Sequence, residues 1–299
     1  MNIKSVFLIF SLFLCFETVA LAEQPRKIQD ATGTSVALPI IPKRIVTLAP
    51  SLGEIAADLL GKDLDRIVGV TDYSTYPPAL KKVPSVGSYV QLNLEKIISL
   101  KPDLVLGTLD GNPKDRIKQL RELGIPVVIV GTSSLAEIQD SILLVANTLG
   151  VPESGQKMTG QIKRGLENIR KRAEKRPHPK VMLQLGDAPL VVVGKGTFLH
   201  DALESIGAKN LYGDSSTHYP RPSVEDVLSR NPDMIVVMDM TEDRKTSQLM
   251  LRKWSELPAL KAVQTRKIRL LRSDALVRPT LRILEGLSLL ERVVFEEFQ

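Results

Sequence analysis

Residues 93–106 read NLEKIISLKPDLVL, and residues 223–236 read SVEDVLSRNPDMIV. The second stretch repeats the first 130 positions further on, with Glu95 matched by Glu225, Ser99 by Ser229, Pro102 by Pro232 and Asp103 by Asp233. The apolar positions correspond too, Leu94 with Val224, Ile97 with Val227, Leu104 with Met234 and Val105 with Ile235. Each copy reads as helix, turn and strand. Asn93 and Ser223 suit an N-cap, because a side-chain oxygen there accepts from the free N–H groups of the first turn. Glu95 and Glu225 then fall in that first turn, where a carboxylate favours the positive end of the helix dipole. Pro102 and Pro232 stop the helix, since proline lacks an N–H and restricts the residue before it. The short apolar run after each proline has the pattern of a strand buried on both faces. Two such units this far apart predict two similar α/β lobes, each with its own sheet.

The rest of the chain fits that plan. A length of 299 residues suggests two domains at roughly 150 residues each. Apolar residues make up 43% and charged residues 25%, as in an ordinary globular protein, which disfavours disordered and collagen-like chains. The net charge of +6 comes from scattered lysines and arginines, densest between Lys163 and Lys180. That cluster lies on a predicted helix from about Glu153 to Lys175 whose apolar stripe is Met158, Ile162, Leu166 and Ile169. It reads as a solvated helix face rather than a nucleic-acid surface.

Residues 1–22 read as a cleavable export leader. Lys4 precedes an apolar run from Val6 to Phe16, and Ala20-Leu21-Ala22 supplies a cleavage pattern, predicting a mature start at Glu23. The run is short of the ~20 residues that span a bilayer. The single cysteine, Cys15, lies inside this leader. Leu12-Phe13-Leu14-Cys15 gives a lipoprotein signal as the alternative, disfavoured because Leu14 is not the small residue such signals place before the cysteine. With cleavage after Ala22 the mature chain is expected to lack disulfide and thiolate chemistry. The expected organisation is a leader at 1–22, an N-terminal α/β lobe at 23–150, a stiff connecting helix at 151–176 and a C-terminal α/β lobe at 177–299. A hairpin is expected around Thr32-Gly33, strands at 44–49, 67–70 and 125–130, and a helix over 52–60. In the second lobe, strands are expected at 181–185 and 268–271, an apolar run at 190–193, Trp254 as a core anchor, a loop over 274–279 and a closing helix over 281–295. Alternation of strand and helix at this spacing predicts parallel, doubly wound sheets.

Chemistry-bearing patterns are sparse. G-x-S-x-G and H-E-x-x-H are absent, and Gly194-Lys195-Gly196-Thr197 does not complete a phosphate-binding loop. His178, His200 and His218 share no local spacing, so no metal site and no catalytic residue is assigned. The aromatics are more informative. Tyr73, Tyr76, Tyr89, Tyr212 and Tyr219 all fall between predicted elements. They either pack on loop prolines at the surface or, for Tyr73, Tyr89 and Tyr219, come from loops of both lobes to face one cleft. The second reading gives a flat amphipathic surface for a large ligand.

The segments Arg44-Ile45-Val46-Thr47-Leu48-Ala49-Pro50-Ser51, Tyr73-Ser74-Thr75-Tyr76-Pro77-Pro78, Asn93 to Ile97 with Lys101 to Val105, Tyr219-Pro220 before Ser223-Val224-Glu225, and Arg278-Pro279 with Arg282-Ile283 carry a resemblance. Over roughly residues 40–290, the chain resembles the periplasmic binding proteins of ATP-driven importers for vitamin B12, haem and iron–siderophores, most closely the members that carry vitamin B12. The resemblance implies a class III binding-protein fold: two Rossmann-like lobes, one long connecting helix and a ligand cleft between the lobes. It implies a monomeric, non-enzymatic carrier in the periplasm with no resident cofactor. The expected ligand is cobalamin or a related corrinoid. Haem or a ferric siderophore is the alternative, and an exported enzyme acting on a tetrapyrrole is the alternative of another class. Ligand contacts carry over to Tyr73, Tyr89, Tyr219, Asp274, Ala275, Leu276, Val277 and Arg278. The vitamin B12 binders have tryptophan at the positions of Tyr89 and Tyr219, and a tryptophan–phenylalanine pair at Ala275 and Leu276. For haem, Tyr73, Tyr89 or His218 would be the axial candidates, and an anionic siderophore would favour Arg221 and Arg278. Glu95 and Glu225 match the paired carboxylates that dock onto arginines of the two permease subunits, beside which the ATPase subunits complete the importer. Two acids related by an internal repeat suit a doubled partner.

Overall fold

The computed structural model describes residues 26–239 and 244–296, so the leader, Met240 and Phe298 lie outside the described residues. Arg26–Gln29 (β1) and Ser35–Leu38 (β2) form the expected hairpin, with Gly33 in the left-handed region at its turn. Ile45–Thr47 (β3) is buried on both faces, as a central parallel strand must be. It pairs in parallel with Ile67–Gly69 (β4) and Leu104–Thr108 (β5), and β5 pairs with Val127–Val130 (β6), giving the order β4-β3-β5-β6. Parallel neighbours need crossovers. Pro50–Leu60 (α1), Leu94–Ser99 (α2) and Lys114–Glu122 (α3) lie in those connections, and Leu135–Leu149 (α4) comes after β6.

A second sheet lies beyond a 22-residue helix, Pro152–Ala173 (α5). It is built on Lys180–Asp187 (β7), Leu190–Val192 (β8), Lys209–Asn210 (β9), Met234–Met238 (β10) and Ile268–Leu271 (β11), in the order β11-β10-β7-β8 with β9 beside β7. Its helices are Phe198–Ser205 (α6), Val224–Arg230 (α7), Arg244–Ser255 (α8), Lys261–Gln264 (α9), Asp274–Val277 (α10) and Ile283–Phe295 (α11). Two departures from the sequence reading stand out. The second sheet is mixed: β8 runs antiparallel to β7, because only Ala188-Pro189 separates them and so short a link cannot cross over. The expected loop at 274–279 begins with one helical turn, capped by the Ser273 hydroxyl, which accepts from Leu276 N at 3.1 Å. Trp254 is buried as expected, its indole N–H donating to Gln184 Oε1 at 2.7 Å.

The repeat holds in its backbone chemistry. Asn93 Oδ1 accepts from Lys96 N at 2.9 Å, and Ser223 Oγ accepts from Asp226 N at 3.2 Å. Lys101 and Asn231, the residues before the prolines, both sit in the left-handed region. Asp103 accepts from Lys43 N and Arg44 N, and Asp233 from Lys180 N, so each ties its copy to the start of β3 or β7. A buried apolar cluster passes from α1 and α4 through Met158, Ile162 and Leu166 of α5 into Val181, Leu203 and Leu287. Separate clusters fill the other face of each sheet. A continuous apolar core along α5 resists the free interdomain motion expected of small polar interfaces.

Candidate functional site

The loops that leave the strand ends of the two sheets meet along a seam. On the first lobe, Asn112 organises this edge. Its buried side chain donates to Leu48 O (2.7 Å) and Tyr89 O (2.9 Å) and accepts from Thr108 N (2.8 Å), tying the exits of β3 and β5 to the long loop. The Tyr89 ring lies over Gly111, where a Cβ would come within 2.0 Å of it. Leu109, Tyr89 and Val90 leave apolar surface exposed beside Asp110, whose carboxylate accepts from Ser133 Oγ.

On the second lobe, the turn carrying Tyr219 is laced to β8 and to the glycine-rich stretch just after that strand. Val192 N donates to Pro220 O and Gly194 N to His218 O. A Cβ on Gly194 would meet Thr217 O at 2.3 Å, so Gly194-Lys195-Gly196 is the bed of the tyrosine turn. Burial pushes the Tyr219 hydroxyl above its ordinary range, and the neighbouring Asp110 carboxylate and Tyr89 push it further. Tyr219 of one lobe thus lies within electrostatic reach of Tyr89 and Asp110 of the other, and both tyrosines are about half exposed.

Tyr73 stands further along the seam. It is 74% exposed and holds φ at +65°, an uncommon conformation for an aromatic residue. Its carbonyl accepts from Arg278 Nη2 of the other lobe at 3.0 Å. Asp274 is exposed and Val277 half-buried, whereas Ala275 and Leu276 face inward, with Leu276 pressed under Gly286. The side chains of Ala275 and Leu276 thus join the core and not the cleft surface, and Arg278 is largely buried at 13% side-chain exposure.

Behind Tyr73 lies a group that the sequence analysis did not single out. Glu54 of α1 is fully buried, its Oε1 accepting from Thr280 Oγ1 at 2.5 Å and its Oε2 lying 3.5 Å from Arg282 and 3.8 Å from Arg278. Burial raises its pKa, opposed by the Thr280 hydrogen bond and the two guanidinium charges. Arg282 also covers the Tyr76 ring at 4.0 Å, a cation–π arrangement. A glutamate amid LGEIAADLL, with arginines four apart at 278 and 282, was the available signal.

Glu95 and Glu225 are both exposed in the first turns of α2 and α7. A bond from its own backbone N–H, then one from Ser223, holds Glu225 below the usual carboxylate range. His178, His200 and His218 are not gathered. His178 meets Gly207 O, His200 meets Asn210, and His218 lies at Gly196. Among the described residues no cluster of three His, Cys, Asp or Glu is placed to hold a metal, and no helix is long and apolar enough to cross a membrane. A cavity of about 640 Å³ lies away from the tyrosines, between the start of α4, the end of α5 and α6, lined by Leu135, Arg170, His178, Asp201 and Lys209 among others.

Two parallel-rich sheets, the long α5 and a seam of loop residues define a class III binding-protein fold, a periplasmic carrier architecture. The Periplasmic binding protein family profile matches residues 45–275, and the chain belongs to that family, which serves ABC importers. It is 33% identical over 258 residues to the vitamin B12-binding protein of Vibrio cholerae, covering 86% of this chain and 91% of the relative. The crystal structure of the periplasmic vitamin B12 binding protein BtuF of Vibrio cholerae superposes with a TM-score of 0.74 at 30% identity, over 86% of this chain and all of that one. A periplasmic heme binding protein from Pseudomonas aeruginosa superposes with a TM-score of 0.76 at 27% identity, over 87% and 95% of the two chains.

Proposed function

We propose that this chain is the solute-binding component of an importer for cobalamin or a related corrinoid, held where the two lobes meet. The placement of Tyr89 and Asp110 on one lobe and Tyr219 on the other, within electrostatic reach of each other, carries the reading. Such rings suit a broad, partly apolar ligand with polar edges. Tyr73, Asp274, Val277 and Arg278 extend the same seam. The similarity to a vitamin B12-binding protein over most of both chains supports corrinoid as the class. Haem or a ferric siderophore is the second reading, favoured by the likeness to a heme binder and by the phenol groups available for iron. The relatives are binding proteins, and a carrier rather than an enzyme is the role assigned.

The proposed course of the chain is export to the periplasm by the leader at 1–22, leaving a lobe at 23–150, the connector at 151–176 and a lobe at 177–299. The monomeric carrier then delivers its ligand to a permease dimer driven by ATPase subunits, with Glu95 and Glu225 docking on arginines of the two permease subunits. Calorimetric titration with cyanocobalamin, hemin and ferric siderophores tests the ligand, with cyanocobalamin expected to bind most tightly. Absence of binding to all three would overturn the carrier reading. Changing both Glu95→Ala and Glu225→Ala is expected to abolish uptake by the reconstituted importer while affinity stays within twofold. Normal uptake by that double variant refutes the docking role.

A further inference from the structure

We infer that Glu54, Arg278 and Thr280 form a positioning device that reaches across the seam and holds the Tyr73 turn in shape, an inference resting on the placement of Tyr73 in the ligand cleft. The Tyr73 turn is held on its inner side by its own lobe, where Asp72 N donates to Gly87 O and the buried Thr71 and Ser74 hydroxyls meet at 3.4 Å. Within it Thr75 N donates to Tyr73 O and Ser74 N to Thr71 O, and the exposed ring has little packing to fix the backbone. A positive φ at a non-glycine residue persists only where surrounding contacts impose it. The outer side of the turn takes its contacts from the opposite lobe: Arg278 Nη2 donates to Tyr73 O at 3.0 Å and reaches Thr75 Oγ1 at 3.4 Å.

Arg278 in turn needs a fixed anchor. Asp274 lies 3.1 Å from the same Nη2, but its side chain is 60% exposed and can swing into solvent, so it is less than a fixed anchor. Glu54 has no exposure, springs from the middle of α1 and is itself oriented by Thr280. Its Oε2 and Arg278 Nη1 are both buried without a hydrogen-bond partner and face each other at 3.8 Å. Arg282 completes the cluster, held against Glu54 and stacked on Tyr76, just beyond the Tyr73-Ser74-Thr75 contacts. The first-lobe loop is therefore gripped at two points by arginines that one first-lobe carboxylate orients. A buried charge without its partner is costly, so the grip is favoured over a freely moving loop. Preorganising a contact loop removes an ordering cost from binding.

The test uses Glu54→Gln and Arg278→Lys in the mature chain. Arg278→Lys keeps the charge near Glu54 but loses the planar fork, and it serves where Glu54→Gln fails to fold. Amide hydrogen exchange is measured without ligand. Exchange across residues 71–76 is expected to accelerate at least tenfold in either variant, while β5 and β10 keep their wild-type protection. Unchanged exchange at 71–76 in a folded variant overturns the inference. Cyanocobalamin and hemin are then titrated into the same proteins. A tenfold or greater loss of affinity is the expected companion. Accelerated exchange with undiminished affinity overturns the role of this turn in ligand capture. Wild-type protein that binds neither probe defeats the proposed function, while the exchange measurement still decides whether the device exists.

Discussion

The two copies of the repeat are alike where they build backbone and unlike where they meet a ligand or a neighbour. Residues 93–106 and 223–236 share an N-cap, a left-handed residue before proline and an aspartate that ties the copy to the first strand of its sheet. The loops beyond the strands share nothing comparable. One lobe offers a long loop braced by Asn112, the other a tight turn bedded on Gly194 and Gly196. Duplication has preserved the scaffold, whose hydrogen bonds have few chemical solutions, and has left the seam free to diverge. The connecting helix shows a narrower asymmetry. It meets the first lobe by close apolar packing, with Gly155 set so near Ala146 that a Cβ would lie 2.4 Å away. It packs on the closing helix of the second lobe as well, a Cβ on Gly165 coming within 2.5 Å of Leu284, but there it adds charge, with Arg172 and the nearby Arg176 both on Glu291 at 2.7 Å.

That asymmetry can be broken at either end. Gly155→Leu is expected to cost about 3 kcal/mol by overpacking the α4–α5 contact, equally at all pH values between roughly 3 and 7, since no titrating group is involved. Glu291→Gln is expected to cost about 2 kcal/mol near neutral pH, because it leaves two half-buried guanidiniums without their carboxylate. The Arg172 hydrogen bond, against desolvation and with the Arg172 and Arg176 charges, holds the Glu291 carboxyl below its ordinary value of 4.5. The folded state thus binds this proton less readily than the unfolded chain. Its stabilisation is complete above 4.5 and is lost as pH falls through the lower folded-state value. In urea titrations the gap between wild type and Glu291→Gln should therefore close on acidification below 4.5, and that for Gly155→Leu should persist. Parallel behaviour of the two variants would erase the distinction between the ends.

The paired aspartates sharpen the likeness instead. Asp103→Ala leaves the N–H groups of Lys43 and Arg44 without their acceptor, and Asp233→Ala does so for Lys180. Each is expected to cost about 2 kcal/mol, the scale of a hydrogen bond to a charged group. Lys261, 2.6 Å from Asp233, adds only a partly exposed ion pair. Asn93→Ala and Ser223→Ala are expected to cost about 1 kcal/mol each. Because the copies lie in different sheets, the double variant should show the sum. A shortfall would mean that the two caps are coupled across the seam.

Much of this frame was legible in sequence because it rests on local rules. N-caps, prolines and buried apolar strands announce themselves within a few residues, and the repeat makes each reading twice. The seam was legible only in part. Tyr89 and Tyr219 were found because aromatics between elements are unusual, but Asn112 was missed, since an asparagine before proline looks like any loop start. Ala275 and Leu276 entered as ligand contacts by resemblance, yet they are apolar residues on one helical turn capped by Ser273, and they pack inward as such residues do. Glu54 and Arg278 stand 224 positions apart, and no periodicity links them. The antiparallel β8 was hidden because an apolar run of three residues carries no direction.

The smallest expected effect separates the copies most cleanly, because it reverses sign between them. Lys101 and Asn231 occupy the same left-handed conformation, with φ of +47° and +46°. A residue with a Cβ is disfavoured there by about 1 kcal/mol or more, glycine is not, and asparagine tolerates it best among the rest. Lys101→Gly should therefore raise stability by about 0.5 kcal/mol after the added freedom of the unfolded chain is offset. Asn231 has less strain to relieve, and its Oδ1 accepts from Lys261 N at 2.9 Å, fixing the start of α9. Asn231→Gly gives up that bond, worth about 1 kcal/mol, and should lower stability by about 0.5 kcal/mol once the relieved strain is set against it. Chemical denaturation with matched slopes resolves the two. Equal shifts in one direction would show that the left-handed residue does the same work in both copies, and that the divergence between the lobes begins only beyond their strands.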